Sequence, residues 1–267
     1  MTEDKNLKRT LSIRISTDGF CFCDYIPAQP DSLQYFFYET DKEISLAANL
    51  RKGFGECPFT GNESYSSIKC IVETGEFTTI PLEFDNKQDY KTYCRYCFPQ
   101  TSGSIEVVAN KLNAQGFTII FPVDKGLYEE ACTLGEVAFY TPASILAGFI
   151  THTQPEKKQY MLAYLQGKFA TFISVKGGKA ELINIFSNEN GQNTLFYLLS
   201  MWKEQGFSQA DDTLYMCGDS SVEEMSMIIG RFIKDKKRMN PNGIFKPSLL
   251  NKIKGIPFDL QTLILCG

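Results

Sequence analysis

Two stretches far apart in the chain, Leu11 to Tyr38 and Tyr160 to Phe186, each read as three consecutive strands, and this repetition restricts the fold more than any other feature. In the first, LSIRISTDGFCFCDY alternates apolar and polar residues on either side of Thr17-Asp18-Gly19, a turn signal that predicts a β-hairpin; Leu33 to Tyr38 adds a third strand. In the second, Tyr160 to Leu165, a turn at Gln166-Gly167-Lys168, Phe169 to Val175, a turn at Gly177-Gly178, and Leu182 to Phe186 repeat the plan.

Helices and further strands follow each meander. Ile44, Ala47 and Ala48 share one helical face over Asp41 to Phe54, with Gly53 and Gly55 at the expected stop. A strand at Ser66 to Val72, an apolar patch at Ile80 to Phe84 and a helix from Asn86 to Phe98 come next. Ile105 to Lys111 and Phe117 to Val123 flank a loop whose Gly116 suits positive φ; a short helix at Lys125 to Leu134, a strand at Val137 to Tyr140 and a helix from Pro142, capped by Thr141, complete the first half. After the second meander the pattern predicts a helix from Asn193 to Gln205, a strand at Thr213 to Cys217, a helix from Val222 to Lys234 and a last strand at Leu260 to Cys266. The expected fold class is α/β, with duplicated βββαβαβ halves at residues 1–155 and 156–267; the competing reading is two unrelated α/β domains.

The 267 residues suffice for one or two self-supporting cores without metal or disulfide staples. A formal net charge of -4 supplies no long-range attraction for nucleic acid or anionic lipid. Met1 to Arg9 lacks the apolar stretch of a secretory signal and no later segment reaches membrane-spanning length, so a cytoplasmic protein is expected. Nine cysteines, an odd count, most of them (Cys21, Cys23, Cys70, Cys132, Cys217 and Cys266) inside apolar or alternating runs, read as reduced buried thiols.

The repeated element order resembles that of the actin-like ATPase superfamily, and Leu214-Tyr215-Met216-Cys217-Gly218-Asp219-Ser220-Ser221 resembles its adenosine motif, an apolar strand running into Gly-Gly and a helix start. The chain as a whole is similar to a bacterial family of unknown function with an actin-like fold, and more distantly to the pilus assembly protein PilM. The resemblance implies a nucleotide cleft between the halves, phosphates held by the turns of the two opening hairpins, and an aspartate before each turn acting through Mg2+ or water. Against that pattern Arg14 falls where the first Asp belongs and Ser16 where its Gly belongs, while Thr17 matches; a shifted alignment brings Asp18 and Gly19 to the cleft. Tyr164 or Ala163 takes the second Asp position and Gln166 its Gly, although Gly167 permits a tight turn, and Asp219 replaces the second adenosine Gly.

Other constellations carry less. Cys94-Arg95-Tyr96-Cys97 is a CxxC that Cys57, Cys70 and the only histidine, His152, could complete as a zinc site; incidental packing is the plain alternative. His152 is otherwise a helix C-terminal residue. Arg231, Lys234, Lys236, Lys237 and Arg238 are expected to end a helix as a solvated basic face, or else to contact RNA, phosphate or an acidic partner. Tyr35-Phe36-Phe37-Tyr38 is expected to pack on both faces of its strand. Hydrolase triads lack a nucleophile elbow, and a ribonuclease H-like nuclease, which shares the sheet topology, would need carboxylates where Arg14 stands.

Without the two acids nothing obvious places Mg2+ or orients water, so the expectation is a catalytically silent protein that binds another protein as adaptor or scaffold, with no cofactor, no metal, no membrane and no nucleic acid. The alternative is an ATP-binding enzyme or nucleotide-dependent switch that takes ATP and Mg2+ in an atypical cleft built from Thr17, Asp18, Gly167, Gly218 and Asp219.

Overall fold

A computed structural model of the chain describes residues 8–27, 29–60, 65–101, 103–152, 159–239 and 255–266. Strands β1 (Thr10–Ile15), β2 (Gly19–Ile26) and β3 (Gln29–Glu39) form the first antiparallel meander, and β9 (Gln159–Gln166), β10 (Phe169–Lys176) and β11 (Lys179–Ser187) the second. Each meander is extended by two parallel strands. On β1 these are β4 (Ser67–Val72) and then β8 (Val137–Tyr140); on β9 they are β12 (Thr213–Gly218) and then β13 (Asp235–Arg238). The two five-stranded sheets therefore have matching orders, β3-β2-β1-β4-β8 and β11-β10-β9-β12-β13.

The helices α1 (Leu46–Glu56), α3 (Lys125–Cys132) and α4 (Pro142–His152) in the first half match α5 (Gly191–Glu204), α6 (Ser221–Ile229) and α7 (Phe258–Cys266) in the second. Both halves are thus βββαβαβα. What makes the middle of the sequence irregular is an insertion between β4 and α3: β5 (Thr78–Pro81), α2 (Tyr90–Cys97), β6 (Ile105–Leu112) and β7 (Phe117–Asp124), whose strands make a separate sheet in the order β5-β7-β6.

The last helix of each half crosses to the other. Phe149 and Ile150 of α4 share a buried cluster with Tyr160, Leu162, Ile173 and Val175 of the second sheet, whereas Leu260 and Leu263 of α7 pack with Cys21, Cys23 and Ile71 of the first. Each sheet then has apolar residues on both faces, and β1 and β2 are buried along their whole lengths.

Several expectations are corrected. Leu260 to Cys266 is helix, because Leu260, Leu263 and Ile264 recur at helical spacing and Asp259 sits in its first turn. The helix from Ser221 ends at Ile229, and Asp235–Arg238 is a strand, so Lys236, Lys237 and Arg238 do not terminate a helix. Helix α1 begins only at Leu46 since buried Asn49 gathers the backbone of residues 41–45 around its amide, accepting from Asp41 N–H and donating to the Asp41 and Ser45 carbonyls. Gly53 lies inside this helix; a Cβ there would stand 3.1 Å from the Phe22 ring, so close packing explains it. Thr141 does not cap α4: Ser144 Oγ instead accepts from Thr141 N–H and donates to its carbonyl. Phe37 is 51% exposed, its ring lying over Gly19, and Cys132 is only partly buried.

Candidate functional site

The ends of β1 and β9 meet where the halves face each other, and the residue that occupies the space between them is Arg14. Its side chain is 4% exposed, and Nε lies 2.9 Å from Asp259 Oδ2 of α7 while Nη2 lies 2.8 Å from Glu73 Oε1 beyond β4. Burial by itself would lower the Arg14 pKa, but Asp259, Tyr164 and Glu73 carry it well above its ordinary value. Burial pushes the Glu73 carboxyl up, with Arg14 opposing. Tyr164, on β9, is 2% exposed; its ring lies 6.4 Å from Phe258, its hydroxyl has no partner, and burial raises its pKa.

Both turns are tied internally. In the first, Ser16 Oγ donates to the Gly19 carbonyl and accepts from Gly19 N–H, while Thr17 offers its carbonyl to Thr40 Oγ1. In the second, Gly167 at φ +55° directs its N–H to Asp219 Oδ2 at 2.8 Å. The other Asp219 oxygen accepts from Ser221 N–H and Oγ at the start of α6. A single carboxylate therefore takes the turn amide that the resemblance assigns to phosphate. Gly218 has a structural cause of its own: at φ +132° it passes so close to β9 that a Cβ would stand 1.7 Å from the Leu165 carbonyl oxygen.

The mouth of this cleft is closed and acidic. A Cβ at Gly167 would lie 3.7 Å from Glu73 Oε1 and 3.9 Å from Asp18 Oδ2; one at Gly75 would lie 2.7 Å from the Phe169 ring. Glu73 and Asp259 pair with the Arg14 guanidinium, while Asp18 lies beside Gly167 and Asp219 holds its amide, so a polyphosphate would meet like charge at this turn. Gly167, Gly218 and Asp219 are brought together, with Thr17 on the facing turn. Sequence reading missed Glu73 and Asp259; the signal for the latter was Pro257 ahead of Phe258-Asp259-Leu260, a helix start with an acid in its first turn.

The remaining candidates separate. Cys94 is buried and Cys97 exposed, and among the described residues no three Cys, His, Asp or Glu side chains converge as metal ligands. The His152 side chain lies outside the described residues. Among the basic residues Lys236 donates to the Ser226 carbonyl, Arg238 pairs with Glu223, and Lys237 stands 4.0 Å from Asp235. No described helix is long and apolar enough to cross a membrane.

A second concavity, of about 740 Å³, lies between β6, β8, α4 and α7, with Val108, Tyr128, Phe139, Ile145 and Leu263 among its walls. Strand β6 is the edge of the small sheet and β8 the edge of the first large one, so two strand edges border it. They are bridged by Asn110 Nδ2 donating to the Phe139 carbonyl at 2.8 Å, while Asn110 Oδ1 is buried without a partner.

Matching sheets, exchanged terminal helices and turns opposed across a cleft define an actin-like ATPase fold. A protein from Bacteroides thetaiotaomicron with that fold and unknown function superimposes with a TM-score of 0.84 over 100% of both chains at 28% identity. The chain belongs to the family described as protein of unknown function DUF3822, which matches residues 1–235. At the level of fold alone it is also similar to the PilM-PilN type IV pilus biogenesis complex (TM-score 0.57, 9% identity, 96% and 97% of the two chains). The ethanolamine utilization protein EutJ from Carboxydothermus hydrogenoformans superimposes less closely (TM-score 0.50, 7% identity, 97% and 90%). No curated protein sequence matches the chain.

Proposed function

We propose that the protein is a catalytically silent actin-like binding protein, an adaptor or scaffold that works without ATP and Mg2+. The observation that carries this reading is the occupied cleft: Arg14 fills its centre between Asp259 and Glu73, and Asp219 holds the Gly167 amide. Hydrolysis needs a carboxylate to hold a hard cation and turn amides to hold phosphate, and here Glu73 and Asp259 are engaged by Arg14 and the Gly167 amide by Asp219.

Binding falls instead to the groove between β6 and β8. Apart from the Phe139 carbonyl that Asn110 occupies, its strand edges offer backbone groups to an extended segment, and its apolar walls offer pockets to alternate side chains of that segment, which is the chemistry of strand addition. The partner proposed is accordingly another protein, presenting an extended apolar stretch. That PilM, of the same fold, forms a complex with PilN supports a partner-binding role for such a scaffold.

The test is steady-state ATP turnover of the purified chain with Mg2+. The expected result is no turnover above the protein-free rate; Mg2+-dependent turnover abolished by Asp18→Asn or Asp219→Asn would overturn the reading. For the groove, a photocrosslinking residue at Val108 should attach in cells to one extended segment of a partner protein. Adducts indistinguishable from those of the same probe on the exposed face of α5, at Lys203, would refute the groove.

A further inference from the structure

The sheet inserted between β4 and α3 is tied to both halves. Asn110 of β6 donates to the Phe139 carbonyl of β8, the edge of the first sheet. The loop from β6 to β7 carries Gln115 to the second half, where Oε1 accepts from Ala180 N–H of β11 at 2.7 Å and Nε2 donates to the Ala147 carbonyl of α4 at 3.1 Å. Both partners stand on the side of the second sheet, because α4 packs on β10 and β11. Gln115 is 6% exposed, so one side-chain amide has both its ends on buried backbone groups of two different elements. The loop is shaped to hold it: Gln115 N–H and Gly116 N–H both reach the Leu112 carbonyl, at 2.9 Å and 3.0 Å, and Gly116 turns the chain at φ +85°. Beside Ala180 the register of β10 and β11 slips, leaving Glu181 without an opposite residue. Leu112 and Phe117, on either side of the loop, pack on the apolar cluster that contains Ala147, Ala180 and Ile183.

We propose that the inserted sheet is a strut between the halves, with Gln115 as the pin that fixes their spacing, so that they do not swing about the exchanged helices α4 and α7. Parting them would strip the Ala180 N–H and the Gln115 amide of their partners in a place that water does not reach, and a buried donor left without an acceptor is far more costly than an exposed one. A second contact across the halves lies at the cleft mouth, where Gly75 beyond β4 packs on the ring of Phe169. Phe169 and Val175, the residue opposite Ala180, stand toward opposite ends of β10. Two contacts separated along one strand resist rotation as well as separation. This goes beyond the silent-cleft reading and does not depend on it, since such a strut would hold the halves of an active cleft equally well.

Two measurements on the full chain test it. Amide hydrogen exchange should find Ala180 protected in the unaltered protein and exchanging about tenfold or more faster in Gln115→Ala, with Thr171 in the middle of β10 unchanged. Spin labels carried by non-natural residues at Lys52 of α1 and Lys203 of α5, both exposed, report the distance between the halves by electron spin resonance. The unaltered protein should give one narrow distance distribution, and Gln115→Ala one about twofold or more broader. Asn113→Ala, an exposed neighbour in the same loop, should alter neither readout. If Gln115→Ala does not fold, Gln115→Met, which keeps the volume and removes both hydrogen bonds, supplies the comparison. A distribution as narrow in the folded variant as in the unaltered protein would overturn the proposal even with Ala180 exchanging faster, because Gln115 would then hold nothing beyond its own hydrogen bonds. A broad distribution in the unaltered protein, exchange at Ala180 indifferent to the substitution, or equal broadening by Asn113→Ala would overturn it too.

Discussion

Glu73 and Gly218 show how much of this protein is decided by single groups. Glu73 shares Arg14 with Asp259, so two carboxylates face one cation in a buried site, and burial holds the Glu73 pKa above its ordinary value. A carboxyl whose folded pKa is raised takes up its proton in the folded chain before it does in the unfolded one. Its contribution to stability therefore grows as pH falls through the raised pKa and levels off below the unfolded value. Glu73→Gln, which keeps an acceptor for Arg14, is expected to melt higher than the unaltered protein at pH 7, with the difference shrinking toward pH 5; an equal loss at both pH values would contradict this. At Gly218 the expected outcome is opposite in sign. Positive φ and the Leu165 carbonyl together make Gly218→Ala destabilising by roughly 3 kcal/mol or more, measurable by urea titration.

At the scale of elements, α7 is the helix on which the site depends, because it brings Asp259 to Arg14 and lays Leu260 and Leu263 on the first sheet. Leu260, fully buried, should cost about 2 to 5 kcal/mol when replaced by alanine. The two meanders were legible in the sequence since alternation and turn glycines are local signals, and the strands fall at the expected places. Helix α7 was misread as a strand: its uninterrupted apolar run, Leu263-Ile264-Leu265, faces α4 and the sheet together and gives no strong periodic contrast. Strand β13 was missed for the converse reason, being four charged residues, Asp235-Lys236-Lys237-Arg238, whose place in the sheet comes from pairing with β12. Arg14 at the end of β1 was readable from the sequence, but its partners were not. Arg14 and its partner Asp259 come from opposite ends of the chain, and only the exchange of terminal helices brings them together.

At the scale of the whole molecule, two copies of one plan are joined by swapped helices and by an inserted sheet, and the space between them is occupied by the chain's own side chains. The groove on the outside, bordered by two strand edges, is the place proposed for a partner. The central claim is that the cleft takes no nucleotide, and thermal melting tests it most directly, since a ligand that binds the folded state must raise the midpoint by mass action. With millimolar ATP and Mg2+ the midpoint should stay where it is without them. A rise that requires both ATP and Mg2+ would mean that Arg14 and Asp219 yield their places to a nucleotide, and the account given for the cleft would be wrong.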